Sequence, residues 1–204
     1  MKISKLVSNL LDSNTFILQK DSEVLIIDCG CKLDLVKRFV GGKKVAGILL
    51  THGHYDHALY CNEYAKEFDC DIYANENIVT TMSDPQAFYS EDGSNINEFC
   101  HFKFLNKDGQ FEIGNFEIEC FSLPGHSPCC EGYLIEGNFF VGDFLFAKSF
   151  GRVDFVNSDK QDMLKSFEKV KNIEFNKVFS GHGEESTKED QIRNLSLYKR
   201  FLTR

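Results

Sequence analysis

Residues 48–57 read ILLTHGHYDH, a short apolar run followed directly by three histidines and an aspartate. The apolar run predicts a buried strand, so the polar cluster falls in the loop at the end of that strand. Imidazole and carboxylate are the usual non-thiolate ligands of zinc and similar ions. Without a cation, burying these groups side by side would be costly. The stretch therefore predicts a metal site built at the edge of a sheet.

The other candidate ligands are His126, Asp143 and His182, and each directly follows an apolar run that predicts a strand. The chain has only six histidines, and five of them lie in loops that directly follow predicted strands. The sixth, His101, lies in an irregular segment with no partner motif. A lone histidine is usually a surface or hydrogen-bonded core residue, which is how we interpret His101.

Hydrophobic periodicity predicts a single domain over residues 1–204, made of two similar halves. Each half is predicted as a sheet covered on one face by helices, with the two sheets packed together and the functional loops at one edge. Residues 83–110 have no clear period, and we interpret them as a long loop with one or two helical turns, a candidate cover for the site. Strands are predicted at 2–7, 15–19, 24–27, 45–50, 72–73, 116–123, 132–135, 139–142 and 178–180, and helices at 33–40, 59–68, 77–82, 162–170 and 186–202.

Composition indicates a globular protein of ordinary type, with 42% hydrophobic and 26% charged residues. The net charge of −8 argues against a nucleic-acid-binding surface. No apolar run approaches the roughly 20 residues that cross a membrane, and the start lacks the features of a signal peptide. The eight cysteines are scattered without paired clusters, as expected of buried, reduced thiols. We therefore expect a cytoplasmic protein that acts on a small molecule and binds neither membrane nor nucleic acid; its oligomeric state is left open.

Four motifs in this order resemble the metallo-β-lactamase superfamily, and especially the short members of its glyoxalase II group. They are HxHxDH at 52–57, GHSP around His126, GDFLF starting beside Asp143, and SGHG around His182. The similarity extends from Asp28 to His182 and so covers most of the chain. It implies an α/β fold of four layers, an αβ/βα sandwich, in agreement with the two predicted halves.

The resemblance also implies a site for two divalent ions. Its ligands would be His52, His54 and His126 around the first ion, Asp56, His57 and His182 around the second, and Asp143 between them. Zinc is the first expectation, with iron or manganese compatible with the same donors. The implied activity is hydrolysis of a small thioester such as S-lactoylglutathione by a hydroxide that bridges the ions and is oriented by Asp56. A thiolate, with a thiol pKa near ~8.5, leaves without a strong general acid.

Further roles are predicted for residues beside the ligands. Asp28 ends a predicted strand and is expected to orient a ligand by a hydrogen bond, or else simply to form a turn. Arg152 follows a glycine where glyoxalase II enzymes contact the glutathione carboxylate, so it is a candidate substrate-binding residue. An ion pair between Arg152 and Asp154 is the equal alternative. Cys129 and Cys130 are interpreted as wall or core residues, with an approach to the metals as the other possibility.

The resemblance weakens at the carboxyl end, where about 20 residues follow His182. The C-terminal helical domain of full-length glyoxalase II is therefore expected to be missing, and with it most contacts to glutathione. Other substrates stay open, among them a small ester, a lactone and a phosphoester. A persulfide dioxygenase with one iron, or a metal-binding module without activity, is disfavoured because all seven ligand positions are complete.

Overall fold

The computed structural model describes residues 1–90, 92–105 and 108–203, which form twelve strands and seven helices. The strands are β1 (Lys2–Val7), β2 (Asn14–Lys20), β3 (Glu23–Ile27), β4 (Lys44–Leu49), β5 (Ile72–Asn75), β6 (Phe102–Leu105), β7 (Gly109–Ile113), β8 (Phe116–Ser122), β9 (Glu131–Ile135), β10 (Asn138–Gly142), β11 (Lys177–Ser180) and β12 (Ser186–Thr187). The helices are α1 (Leu33–Val40), α2 (Tyr55–Ala58), α3 (Cys61–Phe68), α4 (Ile78–Ser83), α5 (Pro85–Phe88), α6 (Lys160–Val170) and α7 (Lys188–Leu202).

Each half of the chain forms one six-stranded sheet. The first sheet has the order β1-β2-β3-β4-β5-β6, and the second has the order β12-β11-β10-β9-β8-β7. Helices cover the outer face of each sheet, so the layers are helix, sheet, sheet and helix. This four-layer sandwich confirms the fold predicted from the order of the strands and helices.

Alternation along the strands divides the core into three apolar clusters. Ile26 faces the cluster under α1 and α3, whereas its neighbours Leu25 and Ile27 face the cluster between the sheets. In the second sheet, Phe139 packs toward α6 and α7 while Phe140 packs between the sheets. Because successive side chains of a strand point to opposite faces, strands that are apolar throughout are buried on both sides. That burial makes the sheet edge a rigid base for loops.

The strands that precede the candidate ligands run in the same direction within each sheet. In the first sheet β3 and β4 are parallel. In the second sheet β10 and β11 are parallel, and β8 shares their direction because β9 is antiparallel to both β8 and β10. The carboxyl ends of β8, β10 and β11 therefore lie at one edge of that sheet, which positions the loops that follow them side by side.

The structure corrects two sequence-based predictions. The region predicted as a loop over 83–110 contains α5, which agrees with the predicted helical turns, but it also contains the strand Phe102–Leu105 and the start of the strand Gly109–Ile113, which were not predicted. Residues 91, 106 and 107 of that prediction lie outside the described residues. The helix predicted from residue 186 begins at Lys188, since Ser186–Thr187 pairs with β11. Thr187 caps this helix, because its side chain accepts a hydrogen bond from the Asp190 N–H. Among the described residues, the helices are all too short or too polar to cross a membrane.

Candidate metal centre

Loops at the carboxyl ends of four strands bring the seven predicted ligands together. The 52–57 cluster lies partly in the loop after β4 and partly in the short helix α2, which contains Asp56 and His57. The loops after β8, β10 and β11 carry His126, Asp143 and His182. Six of these side chains belong to residues that are at least nine-tenths buried, and His182 is half-buried. Three overlapping groups of donor atoms converge in the structure. Two of them have the residues of the two sets that the resemblance implies, and the third joins His52 and His57 to Asp143; the groups are His52, His54 and His126; Asp56, His57 and His182; and His52, His57 and Asp143.

The first group is a cluster of three buried imidazoles. Nδ1 of His54 lies 3.0 Å from Nε2 of His126. The ring centroid of His52 lies 4.7 Å from that of His54 and 5.2 Å from that of His126. Three converging ring nitrogens are the donor set of a zinc-type site, in which each metal–nitrogen distance is about 2.0–2.1 Å.

The second group adds a carboxylate to two imidazoles. Nε2 of His57 lies 3.3 Å from Nε2 of His182, and Oδ2 of Asp56 lies 3.3 Å and 3.2 Å from these two nitrogens. Donors about 2.0–2.1 Å from a tetrahedral ion are about 3.3–3.4 Å from one another, so these spacings match the edges of a coordination tetrahedron.

Asp143 lies between the two groups. Its Oδ1 is 3.3 Å from Nε2 of His57, and its Oδ2 is 3.6 Å from Nε2 of His126 and 3.4 Å from Nε2 of His182. One carboxylate therefore reaches histidines of both groups, as the bridging position predicted for it requires.

Asp28 holds the loop that carries the cluster. Its Oδ1 accepts a hydrogen bond from the Thr51 N–H (2.8 Å) and its Oδ2 accepts one from the Thr51 hydroxyl (2.8 Å). The same Oδ2 lies 2.9 Å from Nδ1 of His57, so a proton on Nδ1 leaves Nε2 free to face the cluster. The structure thus places Asp28 beside His57, where it can orient that ring as predicted. A role in the turn alone would not account for the contacts of its side chain with Thr51 and His57.

Backbone groups complete the support. Nδ1 of His126 lies 2.9 Å from the carbonyl oxygen of Arg152, which fixes the orientation of that ring. Gly181 packs directly under the site: a Cβ there would lie 2.1 Å from Oδ1 of Asp143 and 2.7 Å from Cε1 of His57. Only glycine permits this approach of the backbone to the cluster.

Burial and charge act differently on the two groups. Burial lowers the pKa of His54 to about 3 and lowers the pKa of His52 and His126, so these imidazoles are neutral, the form that binds metals. Burial also opposes the charge on His182, but hydrogen bonds that His182 donates to Asp143 and Asp56 outweigh it and raise the pKa of His182 to about 9. The two carboxylates therefore attract positive charge to the second group.

The chemistry of the donors fits divalent cations. Nε2 of His52 and Nε2 of His54 are buried and have no hydrogen-bond partner among the described residues. An unpaired buried polar atom costs about 1–3 kcal/mol, a cost that coordination of an ion by such a nitrogen removes. Together with the two buried carboxylates, these nitrogens form a site that is complete only with cations.

A cleft of about 350 Å³ opens onto the centre. The ligands on its floor are His54, Asp56, His126, Asp143 and His182, and its walls include Leu11, Tyr89, Phe146, Arg152 and Phe155. Sequence reasoning did not identify the aromatic wall residues. The sequence contains several phenylalanines after Asp143, but which of them face the ligands depends on how two loops that are distant in sequence pack against each other.

The structure shows the contacts of three residues for which the sequence left two roles open: Arg152, Cys129 and Cys130. Arg152 donates to both carboxylate oxygens of Asp154 at 2.9 Å, which is the ion pair considered from the sequence. Cys129 is fully buried, beside the hydroxyls of Ser127 and Thr81, and burial raises its pKa. Cys129 is therefore a protonated residue of the apolar core, the first of the two roles considered for it. Cys130 is also buried, with its pKa raised mainly by burial, whereas His101 is outside the metal groups found among the described residues.

Known proteins match both the sequence and the fold. Residues 8–182 match the family model described as the Metallo-beta-lactamase superfamily. The chain is 29% identical over 202 residues to the Bacillus subtilis protein named "Probable metallo-hydrolase YqgX", covering 94% of this chain and 96% of the relative. It is 28% identical over 148 residues to "Hydroxyacylglutathione hydrolase GloC" of Haemophilus influenzae, covering 69% of each chain.

Among solved structures, the BLEG-1 B3 metallo-beta-lactamase is similar over the whole of both chains. The TM-score is 0.84 and the identity is 26%, with 100% of each chain covered. TTHA1623, solved in a di-iron-bound form, has a TM-score of 0.80 at 21% identity and covers 93% of this chain and 97% of its own. The second comparison concerns the fold alone.

Proposed function

This chain belongs to the metallo-β-lactamase superfamily and is a metal-dependent hydrolase, and we propose that its substrate is a small thioester. The observation that carries the proposal is the pair of three-residue groups on either side of Asp143, at the floor of the cleft. We assign His52, His54 and His126 to one ion and Asp56, His57 and His182 to a second, with Asp143 shared. Zinc is proposed for both positions; iron and manganese suit the same donors.

The proposed reaction adds water across the bond between the acyl carbon and sulfur. Bound divalent cations supply acidity to a water molecule and polarise the substrate carbonyl. The new bond joins the water oxygen to the acyl carbon, the carbon–sulfur bond breaks, and the products are a carboxylic acid and a thiol. The proton released by water ends on the thiol or in solvent.

The residues of the chain orient the reactants. Asp56 lies at the floor of the cleft and would accept a hydrogen bond from the attacking water, which directs the lone pair of the water at the acyl carbon. Asp28 and the carbonyl of Arg152 hold the rings of His57 and His126, so the donors keep their positions through the reaction. The contact between Arg152 and a substrate carboxylate that the sequence predicted is untested, and it would compete with the ion pair between Arg152 and Asp154.

A thioester suits this cleft better than an ordinary ester. Among the described residues that line it, the only carboxylates are Asp56 and Asp143, and both belong to the proposed ligand set. A leaving group that must be protonated would lack a separate general acid. A thiolate needs none, because thiols ionise at a pKa near ~8.5. The relative named hydroxyacylglutathione hydrolase GloC supports the same class of substrate.

A cyclic amide is the second candidate. The similarity to BLEG-1, a B3 metallo-beta-lactamase, extends over the whole of both chains and favours it. Amide hydrolysis differs in one respect that can be measured, since an amine leaving group needs a proton that a thiolate does not.

The test is a substrate panel with metal-reconstituted protein, containing thioesters, oxygen esters, a lactone, a phosphodiester and a β-lactam. We expect kcat/KM to be highest for a thioester and to fall at least about 100-fold in Asp143→Ala. Asp162→Ala, which removes an exposed aspartate paired with Lys165 outside the cleft, is the control and should match the wild type. A higher kcat/KM for the β-lactam or phosphodiester would contradict the proposal, as would full thioesterase activity in Asp143→Ala.

A further inference from the structure

One wall of the cleft is aromatic and lies directly against the first histidine group. The ring of Phe155 is 5.5 Å from that of His54 and 5.4 Å from that of His126, edge-on in both cases. The ring of Tyr89 lies 4.4 Å from Phe155 and 5.3 Å from His54. A substrate whose reacting carbonyl reaches the floor must therefore place a neighbouring group against these two rings.

Tyr89 ties the wall together across the cleft. It sits just after α5 with φ of 62°, a left-handed conformation that is uncommon for a residue with a side chain. Its hydroxyl accepts a hydrogen bond from the Val156 N–H at 2.6 Å, so it holds the loop that carries Phe155. Local strain retained beside a candidate site points to a functional constraint on the side chain.

Arg152 lies at the edge of this wall, and its guanidinium already forms an ion pair with Asp154. Its Nε and Nη2 donate to the two carboxylate oxygens of Asp154, and its guanidinium lies 4.3 Å over the ring of Phe155. Among the described residues that line the cleft, Arg152 is the only lysine or arginine. The two guanidinium nitrogens that could bind a substrate carboxylate on this side, Nε and Nη2, are therefore paired with a carboxylate of the chain itself.

The rest of the rim is apolar. Leu11 is exposed at 61% although it is a large hydrophobic residue, and Phe146 completes the opposite side of the cleft. An exposed leucine beside an aromatic wall favours an apolar occupant, because burying apolar surface against it is favourable.

We propose that Phe155 and Tyr89 form a subsite for an uncharged, apolar substituent of the thioester, and that Asp154 excludes anionic carriers by occupying Arg152. This inference rests on the proposed thioesterase function. It makes Asp154 a specificity residue: the carboxylate competes with any substrate carboxylate for the same guanidinium, and it repels that carboxylate by its own charge. The alternative occupant, an anionic peptide thiol such as glutathione, becomes an outcome of the test.

Binding is measured with thioethers, which have no bond to hydrolyse and so report on the subsite whether or not the chain is a thioesterase. The probes are S-methyl- and S-hexyl-N-acetylcysteamine, which are neutral, and S-methyl- and S-hexylglutathione, which are anionic. Calorimetric titration of the metal-reconstituted protein should show tighter binding of the hexyl probe than of the methyl probe, by about twofold per added methylene in a partly open cleft. It should also show weaker binding of each glutathione probe than of its neutral counterpart.

Two substitutions separate the two parts of the proposal. Phe155→Ala should remove most of the dependence on alkyl length. Asp154→Asn should raise the ratio of glutathione-probe affinity to neutral-probe affinity by about fivefold, the size of an exposed ion pair. Asp162→Asn breaks an exposed pair with Lys165 away from the cleft and should leave both quantities as in the wild type.

The proposal is overturned if methyl and hexyl probes bind equally well, if wild-type protein prefers the glutathione probes, or if Asp154→Asn leaves the ratio of glutathione-probe to neutral-probe affinity unchanged. If only the proposed function is wrong, the result is different: the hexyl thioether binds at the subsite of Phe155 and Tyr89, but thioesters are not hydrolysed. Hydrolysis of thioesters without any dependence on alkyl length gives the converse pattern, in which the function stands and the apolar subsite does not.

Discussion

Asp28 shows how a residue outside the ligand set can control the ligands. It accepts hydrogen bonds from two groups of Thr51 and lies beside His57, so a single carboxylate fixes both ends of the loop. Its backbone has φ of 62°, a conformation that aspartate and asparagine tolerate better than most residues. A substitution of Asp28 by asparagine, which removes the charge but keeps the shape and suits the same backbone conformation, therefore tests the orienting role alone.

Asp28→Asn should weaken metal binding by about 10- to 100-fold, the usual effect of losing an outer partner of a ligating histidine. Both carboxylate oxygens of Asp28 accept hydrogen bonds, whereas asparagine has only one acceptor oxygen, so either Thr51 or His57 loses its partner and the His57 ring is held less firmly. Competition titration against a chromophoric chelator measures the change. Asp21→Asn is the control, because Asp21 is also left-handed, at φ of 51°, but is exposed far from the centre. Equal affinity in Asp28→Asn and wild type would refute the role.

A different prediction concerns Glu131, a buried carboxyl group that forms no ion pair with a lysine or arginine among the described residues. Its side chain accepts hydrogen bonds from Asn75 (2.5 Å) and from the Cys120 thiol (2.8 Å), yet burial raises its pKa. A carboxyl group with a raised pKa favours the folded state when protonated. Stability is therefore lost as the pH rises from the ordinary glutamate value through the raised value.

Glu131→Gln should accordingly gain stability relative to the wild type as the pH increases from 4 to 8. Glutamine retains an oxygen for Asn75 and has no charge to bury. Urea denaturation of both proteins across that range gives the difference in unfolding free energy, from which effects of other groups largely cancel. A difference that stays constant, or that falls as the pH rises, would contradict the assignment.

At the scale of elements, the sequence predicted the strands that are apolar on both faces and the edge strand β1, but it missed the other three edge strands, β6, β7 and β12. β7 alternates between exposed residues such as Gln110 and Glu112 and the less exposed Phe111, and it lies at the edge of its sheet. β12 has only two residues, too few to show a period. Such strands are set by pairing with a neighbour, which a local pattern does not reveal. The ligand-bearing loops were predictable because rare histidines directly follow strong strands.

The turn after β11 gives the prediction at this scale. Gly181→Ala would drive a methyl group into Asp143 and His57, and the backbone must move to relieve it. A displacement of about 1 Å in a catalytic cluster costs on the order of 100-fold in rate. We expect a loss of hydrolysis of that order and weaker metal retention. Gly109→Ala is the control, because a Cβ there meets no atom within 4 Å. Wild-type kcat/KM in Gly181→Ala would show that the close approach is not required.

At the scale of the whole molecule, the centre joins the two halves of the sandwich. The first sheet supplies the cluster at 52–57, and the second sheet supplies His126, Asp143 and His182. The ligand set could be predicted from the order of the motifs, whereas the aromatic wall could not, because it depends on loops from both halves meeting across the cleft. Bound ions should therefore stabilise the packing of one half against the other.

Metal removal should lower the melting temperature. Each ion present at about 100 times its dissociation constant contributes about 2.7 kcal/mol to stability. In a chain of this size each kcal/mol corresponds to about 2–4 °C, so a chelator should lower Tm by about 5–10 °C for each ion that it removes. Differential scanning calorimetry with and without chelator measures it, and Asp143→Ala should respond much less. An unchanged Tm of the wild-type protein would contradict a structural contribution of the ions.

Metal stoichiometry tests the central claim most directly. Protein freed of metal, titrated with zinc and passed over a desalting column, should retain two ions per chain by inductively coupled plasma mass spectrometry. Asp143→Ala should retain fewer than two, because the shared carboxylate is lost. Retention of one ion or none by the wild-type protein, under conditions where it is folded, would contradict the two-ion centre.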